Sequence, residues 1–428
     1  MKTFNGGVHV PDNKYITEYL AVEQMPVVPD YFISLSQHIG APAKPVVAVG
    51  DVVAEGQLIA EKGGFVSANI HSPISGEVIG IEKRQNRAGG TDEFIHVKTD
   101  GKQTVTTYPA LDNPTAEQIA ERIDQAGIVG LGGAGFPTFV KLKPKTPVDT
   151  LVINAAECEP YLNCDNRLMI ERAEEVMEGV KLIARALNLA EQNVIVGIEA
   201  NKMEAYDAMR AVAGGAKVEL LKKKYPQGAE KTLIYATTKR KVPCGKLPAD
   251  VGVVVQNVAT AFAVYEAVKL GKPLYRRILT VSGKGIANPK NLEVRVGTPI
   301  SSIIEFCGGL SEDVVKVVDG GPMMGMALQT LDVFTTKTDS GLLALTSEEA
   351  SLAEPSPCIN CGKCAAACPM HLMPMYIDLY ANLRDFDSAV KYGAKNCFEC
   401  GTCAYVCPAK RQIVQSVKLT KQKTKEKK

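Results

Sequence analysis

The central part of the chain alternates short apolar runs with longer amphipathic segments. The runs have the length of buried strands, and the segments between them repeat apolar residues with a helical period. We predict strands at residues 150–156, 193–198, 217–221 and 251–255. Helices are predicted at 115–126, where Thr115 and Gln118 have capping-box spacing, at 167–187, from near Lys202, and at 261–270. Strands that alternate with helices indicate a layered, parallel α/β domain, here residues 111–275.

Shorter strands are predicted on both sides of this α/β domain. Residues 1–105 are rich in Gly and Pro and contain paired short strands, which indicates a β barrel-sandwich domain. Residues 276–345 mix short strands with one helix, which indicates a small α+β module. Residues 344–354 are expected to be a linker into a domain at 346–410, and 411–428 to be a basic, solvated and disordered tail. The predicted fold class is therefore multidomain, α/β plus α+β.

Eight of the twelve cysteines form two motifs of identical spacing, Cys358-x2-Cys361-x2-Cys364-x3-Cys368-Pro369 and Cys397-x2-Cys400-x2-Cys403-x3-Cys407-Pro408. This is the pattern of bacterial two-cluster ferredoxins, in which three thiolates of one loop bind one cluster and the fourth binds the other. We therefore predict a helical domain with two [4Fe–4S] clusters. One is bound by Cys358, Cys361, Cys364 and Cys407, and the other by Cys397, Cys400, Cys403 and Cys368. Structural zinc, which usually shows paired C-x2-C, and disulfides are the alternatives.

Composition fits a globular protein of several domains. The 428 residues are 46% hydrophobic and 22% charged with a net charge of +2, which gives no signature of nucleic-acid binding. No apolar run reaches the ~20 residues that span a bilayer, so we expect the chain to have no transmembrane helix of its own. Iron–sulfur cysteines favour a reducing compartment, the cytoplasm. Among the remaining cysteines, Cys244 is expected to be a buried small hydrophobe.

Two further stretches place glycines or polar residues where an α/β domain binds ligands. Gly130-Leu-Gly-Gly-Ala-Gly-Phe-Pro-Thr138 matches G-x-G-x-x-G, but a helix precedes it where a dinucleotide fingerprint has a strand. Its backbone can still approach a phosphate or a flat ring closely. Asn154-Ala-Ala-Glu-Cys-Glu-Pro160 follows a predicted strand, at the edge where α/β folds bind ligands. Taken singly, these are a turn and two surface carboxylates; their joint placement predicts a site.

These two stretches resemble the flavin loops of the NADH-binding subunit of respiratory complex I. Together with Phe4-Asn-Gly-Gly-Val-His-Val-Pro11, a β-grasp-like module of SLBB type at 276–345 and the two cysteine motifs, they make residues 1–410 similar to the C subunits of Rnf electron-transport complexes. The N-terminal domain resembles biotinyl and lipoyl carriers, but Phe65 stands where a carrier has its modified Lys, so we expect a structural role. The resemblance implies FMN and two [4Fe–4S] clusters as cofactors and NADH or NAD⁺ as substrate.

The resemblance also implies roles for individual residues. FMN is expected at Gly130, Gly132, Gly133, Lys141, Asn154, Glu157 and Asn257. NADH is expected at Phe136, Glu159, Tyr225, Gly228 and Glu230, with the Phe136 ring stacking on the coenzyme and the two carboxylates binding ribose hydroxyls. Leu131, Cys158 and Ala229 depart from complex I, which has Arg, Ser and Glu there. A carboxylate such as Glu157 near the ring would disfavour anionic reduced flavin by charge repulsion.

The implied function is electron transfer at a membrane complex. Hydride passes between NADH and FMN without a catalytic side chain, and single electrons then pass through the clusters to partner subunits, including the complex's iron–sulfur subunit, and indirectly to ferredoxin. The complex couples this reaction to Na⁺ or H⁺ transport, and the chain is expected as a peripheral subunit on the cytoplasmic face. Two alternatives share the architecture: a cobalamin reductase of a diol-utilisation pathway, and a non-catalytic subunit of a Na⁺-pumping quinone reductase.

Overall fold

The N-terminal domain is built from short antiparallel strands. A computed structural model of the chain describes residues 1–350 and 353–426. The first eight strands of the chain are β1 (Val22–Gln24), β2 (Asp30–Ser34), β3 (Lys44–Pro45), β4 (Val52–Val53), β5 (Leu58–Glu61), β6 (Ile70–His71), β7 (Gly76–Gln85) and β8 (Thr91–Thr99). All of them except β1 belong to this domain. Strands β2, β8, β7 and β4 form one sheet and β3, β5 and β6 a second. Ile33, Ile59, Ile70 and Ile95 are fully buried in their core, and the barrel-sandwich prediction is confirmed.

The α/β domain contains a four-stranded parallel sheet between helices. Its strands are β9 (Thr150–Ala155), β10 (Val194–Glu199), β11 (Lys217–Leu221) and β12 (Val253–Asn257), in the order β11-β10-β9-β12. Its helices are α1 (Ala116–Gln125), α2 (Thr138–Lys141), α3 (Cys164–Glu171), α4 (Ala173–Ala186), α5 (Met203–Ala211), α6 (Glu230–Thr238) and α7 (Val258–Lys269). Helix α1 begins with the predicted capping box of Thr115 and Gln118. The central parallel sheet is confirmed.

The single helix predicted over 167–187 is two helices, α3 and α4. Arg172 interrupts them with a φ of −138° and a ψ of 35°, outside the helical region. Helix α3 contacts α5 and the neighbouring sheet, whereas α4 packs against α7. The main packing partners of the two helices therefore differ, and the break at Arg172 lets each helix follow its own.

The α+β module that follows completes a six-stranded sheet. It consists of β13 (Arg276–Ser282), β14 (Lys290–Arg295), α8 (Ile300–Phe306), β15 (Val314–Asp319), β16 (Met326–Ala327) and β17 (Gly341–Thr346), with the order β1-β14-β13-β17-β15-β16. The prediction of a linker over 344–354 is wrong at its start, because β17 continues to Thr346 and lies between β13 and β15. Its six residues are all buried, and a strand buried on both faces lacks the alternation that identifies a half-exposed strand.

The first 25 residues connect the other parts of the chain. Lys2 pairs with Leu221 of β11, and β1 adds to the module sheet by parallel pairing with β14. Gly7 donates its backbone N–H to Ala367 O in the cysteine-rich region at 2.8 Å. This N-terminal segment therefore contacts the α/β domain, the module and the cysteine-rich region before the barrel-sandwich begins.

The cysteine-rich region is helical, as predicted. It contains α9 (Lys363–Ala367), α10 (Pro374–Asn382), α11 (Phe386–Lys391), α12 (Thr402–Tyr405) and α13 (Ile413–Glu426). The prediction of a disordered tail after residue 410 is wrong, because α13 packs against α10 and α11. Ile413, Val417 and Thr420 are buried on one face of this helix. The many lysines hide the apolar spacing in the sequence, although a helix needs only one apolar face to pack.

Helix α13 should be needed for the cysteine-rich region to hold its metal. We expect Val417→Asp to remove most of the iron, because a carboxylate buried without a partner costs several kcal/mol. Iron per chain after anaerobic purification and protease resistance of residues 353–426 measure the effect.

Leu419→Asp is the matched control, because Leu419 lies on the same helix and is 41% exposed. It should retain iron and protease resistance. Full iron in the Val417→Asp variant would show that α13 is not packed as described.

Candidate functional site

Two asparagines face each other where β9 and β12 end. Asn154 and Asn257 are paired residues of these adjacent parallel strands. The Asn154 Nδ2 donates to Gly228 O at 2.8 Å, and the Asn257 Nδ2 donates to Asp165 Oδ2 at 2.7 Å. The structure thus brings Asn154 and Asn257, both expected at FMN, next to Gly228, expected at NADH, at the carboxyl edge of the sheet.

The glycine loop lies against the same edge. Gly130 N–H donates to Phe136 O at 2.8 Å, and Leu131 N–H donates to the Thr260 hydroxyl at 2.9 Å. A Cβ at Gly132 would lie 3.0 Å from the Asn257 Cβ, so a side chain there would push against Asn257. A Cβ at Gly133 would meet nothing within 4 Å. The loop is therefore closed on the Asn257 side and open beside Gly133.

The carboxylate of Glu157 is already engaged by the start of α3. Its Oε1 accepts from Asp165 N–H at 2.6 Å and its Oε2 from Asn166 N–H at 3.3 Å. The residue itself has a left-handed φ of +45°. Burial raises the pKa of Glu157, and the nearby Lys14 ammonium opposes that shift. The helix N-terminus and this ammonium thus compensate a buried negative charge.

Two buried lysines, which the sequence did not single out, hold the turn between β9 and α3. Lys14 Nζ donates to Leu162 O and, at 3.0 Å, to Glu159 O. Lys202 Nζ donates to Ala156 O at 2.8 Å. Burial lowers the pKa of Lys14. An isolated Lys in sequence gives no signal of this role, because its partners lie about 45 to 148 positions away.

Glu159 and Tyr225 lie at a junction of three parts of the chain. The Glu159 carboxylate accepts from Met323 N–H and Met324 N–H, each at 3.0 Å, in the loop between β15 and β16. Tyr225 is buried, and its hydroxyl donates to Cys400 O at 2.7 Å and lies 3.3 Å from Glu159 Oε1. Burial raises the pKa of Glu159 to about 7. These two side chains connect the α/β domain with the module and the cysteine-rich region.

Lys141 and Glu230 form an ion pair at the rim of the same edge. Their Nζ and Oε1 atoms are 2.9 Å apart, and Lys141 also donates to Val255 O at 3.1 Å. Glu230 begins α6, and its side chain is 40% exposed. Phe136 is half-buried in the glycine loop. The pair is accessible to a ligand, whereas the Glu159 carboxylate is already engaged by Met323 and Met324.

The structure groups the eight cysteines as their spacing predicted. Cys358, Cys361, Cys364 and Cys407 line one cavity, together with Met375 and Ile413. Cys368 lies close to Cys397, Cys400 and Cys403, the other expected set. The sets differ in exposure: Cys358 and Cys361 are exposed, whereas Cys368, Cys400 and Cys403 are buried. Four thiols around one cavity are the donor set that a [4Fe–4S] cluster needs.

We call Cys368, Cys397, Cys400 and Cys403 the inner set, and the other four the outer set. Polar groups contact three of the sulfurs of the inner set. Leu372 N–H donates to Cys368 Sγ at 3.4 Å, and Glu399 N–H donates to Cys397 Sγ at 3.3 Å. The Thr402 hydroxyl lies 3.2 Å from Cys400 Sγ.

Cys244, expected to be buried, is exposed, because it lies in the irregular segment between α6 and β12.

The residues at the sheet edge fit a polar ligand such as FMN. Asp165 Oδ1 and Asn166 Oδ1 are buried beside Asn257 and Glu157 without a hydrogen-bond partner, and such atoms are normally satisfied. Donor atoms of Glu157, Cys164 and Asp165 lie within 4.8 Å of one another. A metal ion is not required to balance them, because Lys14 and Lys202 already supply positive charge.

Comparison with known families matches every part of this architecture. Residues 2–102 match the RnfC barrel sandwich hybrid domain and residues 123–266 the Nuo51 FMN-binding domain. Residues 278–327 match the SLBB domain and residues 351–422 the 4Fe-4S dicluster domain. Fold and site therefore define a multidomain electron-transfer protein with a flavin domain and an iron–sulfur domain.

The chain belongs to the family of C subunits of ion-translocating ferredoxin:NAD⁺ oxidoreductase (Rnf) complexes. It is 46% identical to the C subunit of the proton-translocating ferredoxin:NAD(+) oxidoreductase complex of Clostridium ljungdahlii, over 98% of this chain and 94% of that protein. It is 44% identical to the C subunit of the Na(+)-translocating complex of Acetobacterium woodii, over 98% and 96%. An NAD⁺-reducing [NiFe]-hydrogenase structure shares the fold, with a TM-score of 0.52 and 19% identity, over 74% of this chain and 68% of that one. In the described ranges, no helix is long and apolar enough to cross a membrane.

Lys14 should be required for the turn after β9 to keep its shape. We expect Lys14→Met to lower the unfolding temperature and the amount of FMN bound per chain, because removing one partner of a buried ion pair costs about 3–5 kcal/mol. Thermal unfolding and FMN fluorescence after gel filtration measure both effects.

Lys44→Met removes an exposed lysine of the barrel-sandwich and should change neither quantity. If Lys14→Met behaved like this control, the turn would not depend on the buried ammonium.

Proposed function

We propose that the chain is the NADH-oxidising and NAD⁺-reducing subunit of its complex. The observation that carries the proposal is the packing of the inner set directly on the ligand-binding edge of the α/β sheet. Tyr225 donates to Cys400 O at 2.7 Å, while the outer set opens to the surface through Cys358 and Cys361. The two cysteine sets then lie in series between the flavin site and a partner, as a chain of single-electron carriers requires.

We assign FMN binding to the glycine loop and the two strand ends. When bound, FMN would exchange hydride with NADH and electrons singly with a [4Fe–4S] cluster. Gly130, Gly132 and Gly133 let backbone N–H groups approach it, and Asn154 and Asn257 supply amide groups. Lys141 would bind the phosphate. Glu157 is held by α3 and Lys14, so its repulsion of the reduced ring is partly offset.

We assign NADH to the exposed rim of the same edge. Phe136, Gly228 and Glu230 are the expected coenzyme residues that remain available there. Glu159 and Tyr225, also expected at NADH, are engaged with Met323, Met324 and Cys400. We therefore assign these two to the junction with the inner set, and the coenzyme contacts to the rim.

We propose that electrons leave through the outer set to another subunit of the complex. Three exposed residues lie near the outer cysteines. Ile359 and Lys363 line the cavity of the outer set, and Lys410 follows Cys407 in the chain. A basic rim favours an acidic partner and raises the rate of encounter. The chemistry fits the complex's iron–sulfur subunit, with ferredoxin as the indirect partner. Docking there would place the chain as a peripheral subunit on the cytoplasmic face of the membrane.

The proposal is tested by adding NADH to protein purified without oxygen. Visible absorbance of both flavin and iron–sulfur chromophores should bleach, since both lie on one electron path. Protein that contains FMN and clusters but is not bleached by NADH would overturn it, and absence of flavin would favour the non-catalytic quinone-reductase alternative. NADH-dependent reduction of cob(II)alamin by the chain would favour the cobalamin reductase.

The number of clusters can be measured together with the predicted ligand exchange, in which the fourth Cys of each motif binds the cluster of the other motif. We expect about eight iron and about eight sulfide per chain. Cys358→Ser and Cys407→Ser should alter one and the same cluster signal in electron paramagnetic resonance, because both belong to the outer set. Cys368→Ser and Cys397→Ser should alter the other signal.

Cys244→Ser, in an exposed loop outside both sets, should leave both signals unchanged. Loss of different signals in the Cys358 and Cys407 variants would contradict the crossed assignment.

Glu230 should contribute to NADH binding and not to flavin retention. Glu230→Ala should raise KM for NADH by about ten- to a hundredfold, because a hydrogen bond to a charged group contributes about 1.5–3 kcal/mol. FMN should remain bound, because the substitution removes only the Glu230 carboxylate that competes with the FMN phosphate for Lys141. Steady-state kinetics with an artificial acceptor and flavin content provide the readout.

Glu204→Ala, at an exposed position on α5, is the control and should keep the original KM. A Glu230→Ala protein with unchanged KM would remove this carboxylate from the coenzyme site.

A further inference from the structure

We propose that Tyr225 is a positioning residue for the cluster of the inner set: its hydroxyl fixes the Cys400 backbone and raises that cluster's reduction potential. The inference rests on the proposed function, because it concerns the step between the flavin site and the first cluster. It assigns Tyr225 a role different from the coenzyme contact that family resemblance implies.

The backbone of Tyr225 is held by two hydrogen bonds to Val8. Tyr225 N–H donates to Val8 O at 2.9 Å, and Val8 N–H donates to Tyr225 O at 2.8 Å. The neighbouring Gly7 donates to Ala367 O, directly before Cys368. The N-terminal segment therefore ties Tyr225 and the inner set to one another. Only 2% of Tyr225 is exposed, which leaves no surface for a coenzyme.

The Tyr225 hydroxyl has one proton to donate, and we assign the hydrogen bond to the nearer of its two acceptors. Cys400 O lies at 2.7 Å, whereas Glu159 Oε1 lies at 3.3 Å and also accepts from Met324 N–H. The next residue, Gly401, has a φ of +81°, and a Cβ there would lie 2.8 Å from Met323 O. The Cys400–Gly401 backbone is thus confined between the Tyr225 hydroxyl and the Met323 carbonyl.

Apart from the Glu159 carboxylate, the side chains described around this hydrogen bond are apolar. Val8, Ala367, Met323 and Phe398 pack around Tyr225 and Cys400. A hydrogen bond in such low-dielectric surroundings is stronger than in water and more costly to lose. Donation to the carbonyl of a ligand residue withdraws negative charge near the sulfur, and hydrogen bonding close to cluster ligands raises reduction potentials.

The repeat supplies an internal comparison. Cys361 holds the position in the first motif that Cys400 holds in the second. Cys361 is exposed, whereas Cys400 is buried beside Tyr225. A change at Tyr225 should therefore affect one cluster of the two, and a general loss of stability would affect both.

The test is a potentiometric titration of the complete chain with both clusters loaded, followed by electron paramagnetic resonance. Tyr225→Phe removes only the hydroxyl oxygen. At a fixed solution potential, the ratio of reduced to oxidised inner cluster should fall about three- to tenfold, the equivalent of one net hydrogen bond. The outer cluster should keep its ratio, and KM for NADH should stay unchanged.

Two comparisons keep the result interpretable. Incorporation of 3-fluorotyrosine at position 225 makes the hydroxyl a better donor and should shift the inner cluster in the opposite direction. Tyr235→Phe removes a hydroxyl from α6 of the same domain and should shift neither cluster.

Equal shifts of both clusters, or none, would overturn the inference, as would a raised KM for NADH with unchanged potentials. Mediators set the potentials without NADH. Failure of NADH to reduce the wild-type protein would therefore refute the proposed function and leave this test of Tyr225 intact.

Discussion

The buried turn between β9 and α3 needs hydrogen-bond donors that its own strand cannot provide. Buried carbonyl groups are nearly always hydrogen bonded, and here the donors are the ammonium groups of Lys14 and Lys202. The module supplies Met323 N–H to the Glu159 carboxylate. The N-terminal segment, the α/β domain and the module thus each satisfy part of one turn. The hydrogen bonds of this turn therefore connect three parts of the chain in addition to their apolar contacts.

The N-terminal segment explains why the cysteine-rich region sits where it does. A ferredoxin-like unit with its own helices can fold around its clusters without a fixed orientation to a neighbour. Here Gly7 pairs with Ala367, and Val8 pairs with Tyr225. Because both contacts come from consecutive residues, the segment fixes the inner set relative to the sheet edge. Gly7 has a φ of +77°, and a Cβ there would lie 2.5 Å from Tyr225 O, so glycine is needed at this contact.

Local patterns predicted what depends on neighbours in sequence. The capping box at Thr115, the individual strands and the two cysteine motifs are all visible in short spacings within one element or loop. Prediction failed where burial comes from distant partners. The end of β17, residues 344–346, is predicted as linker because both faces of the strand are covered, and α13 is predicted as disordered because its lysines mask a single apolar face. Lys14 gave no signal, since its partners are more than 140 residues away.

Two motifs of identical spacing end in different surroundings, and the difference comes from outside the repeat. The spacing predicts which thiols would share a cluster, three from one motif and one from the other. It cannot determine which cluster faces the flavin domain. Here the α/β domain contacts one motif through Tyr225, whose hydroxyl donates to the backbone of the buried Cys400, whereas the equivalent Cys361 is exposed. Thr402 likewise lies beside the Cys400 sulfur, where the first motif has the charged Lys363. A symmetric pair of ligand loops therefore acquires a direction from the α/β domain packed against one of them.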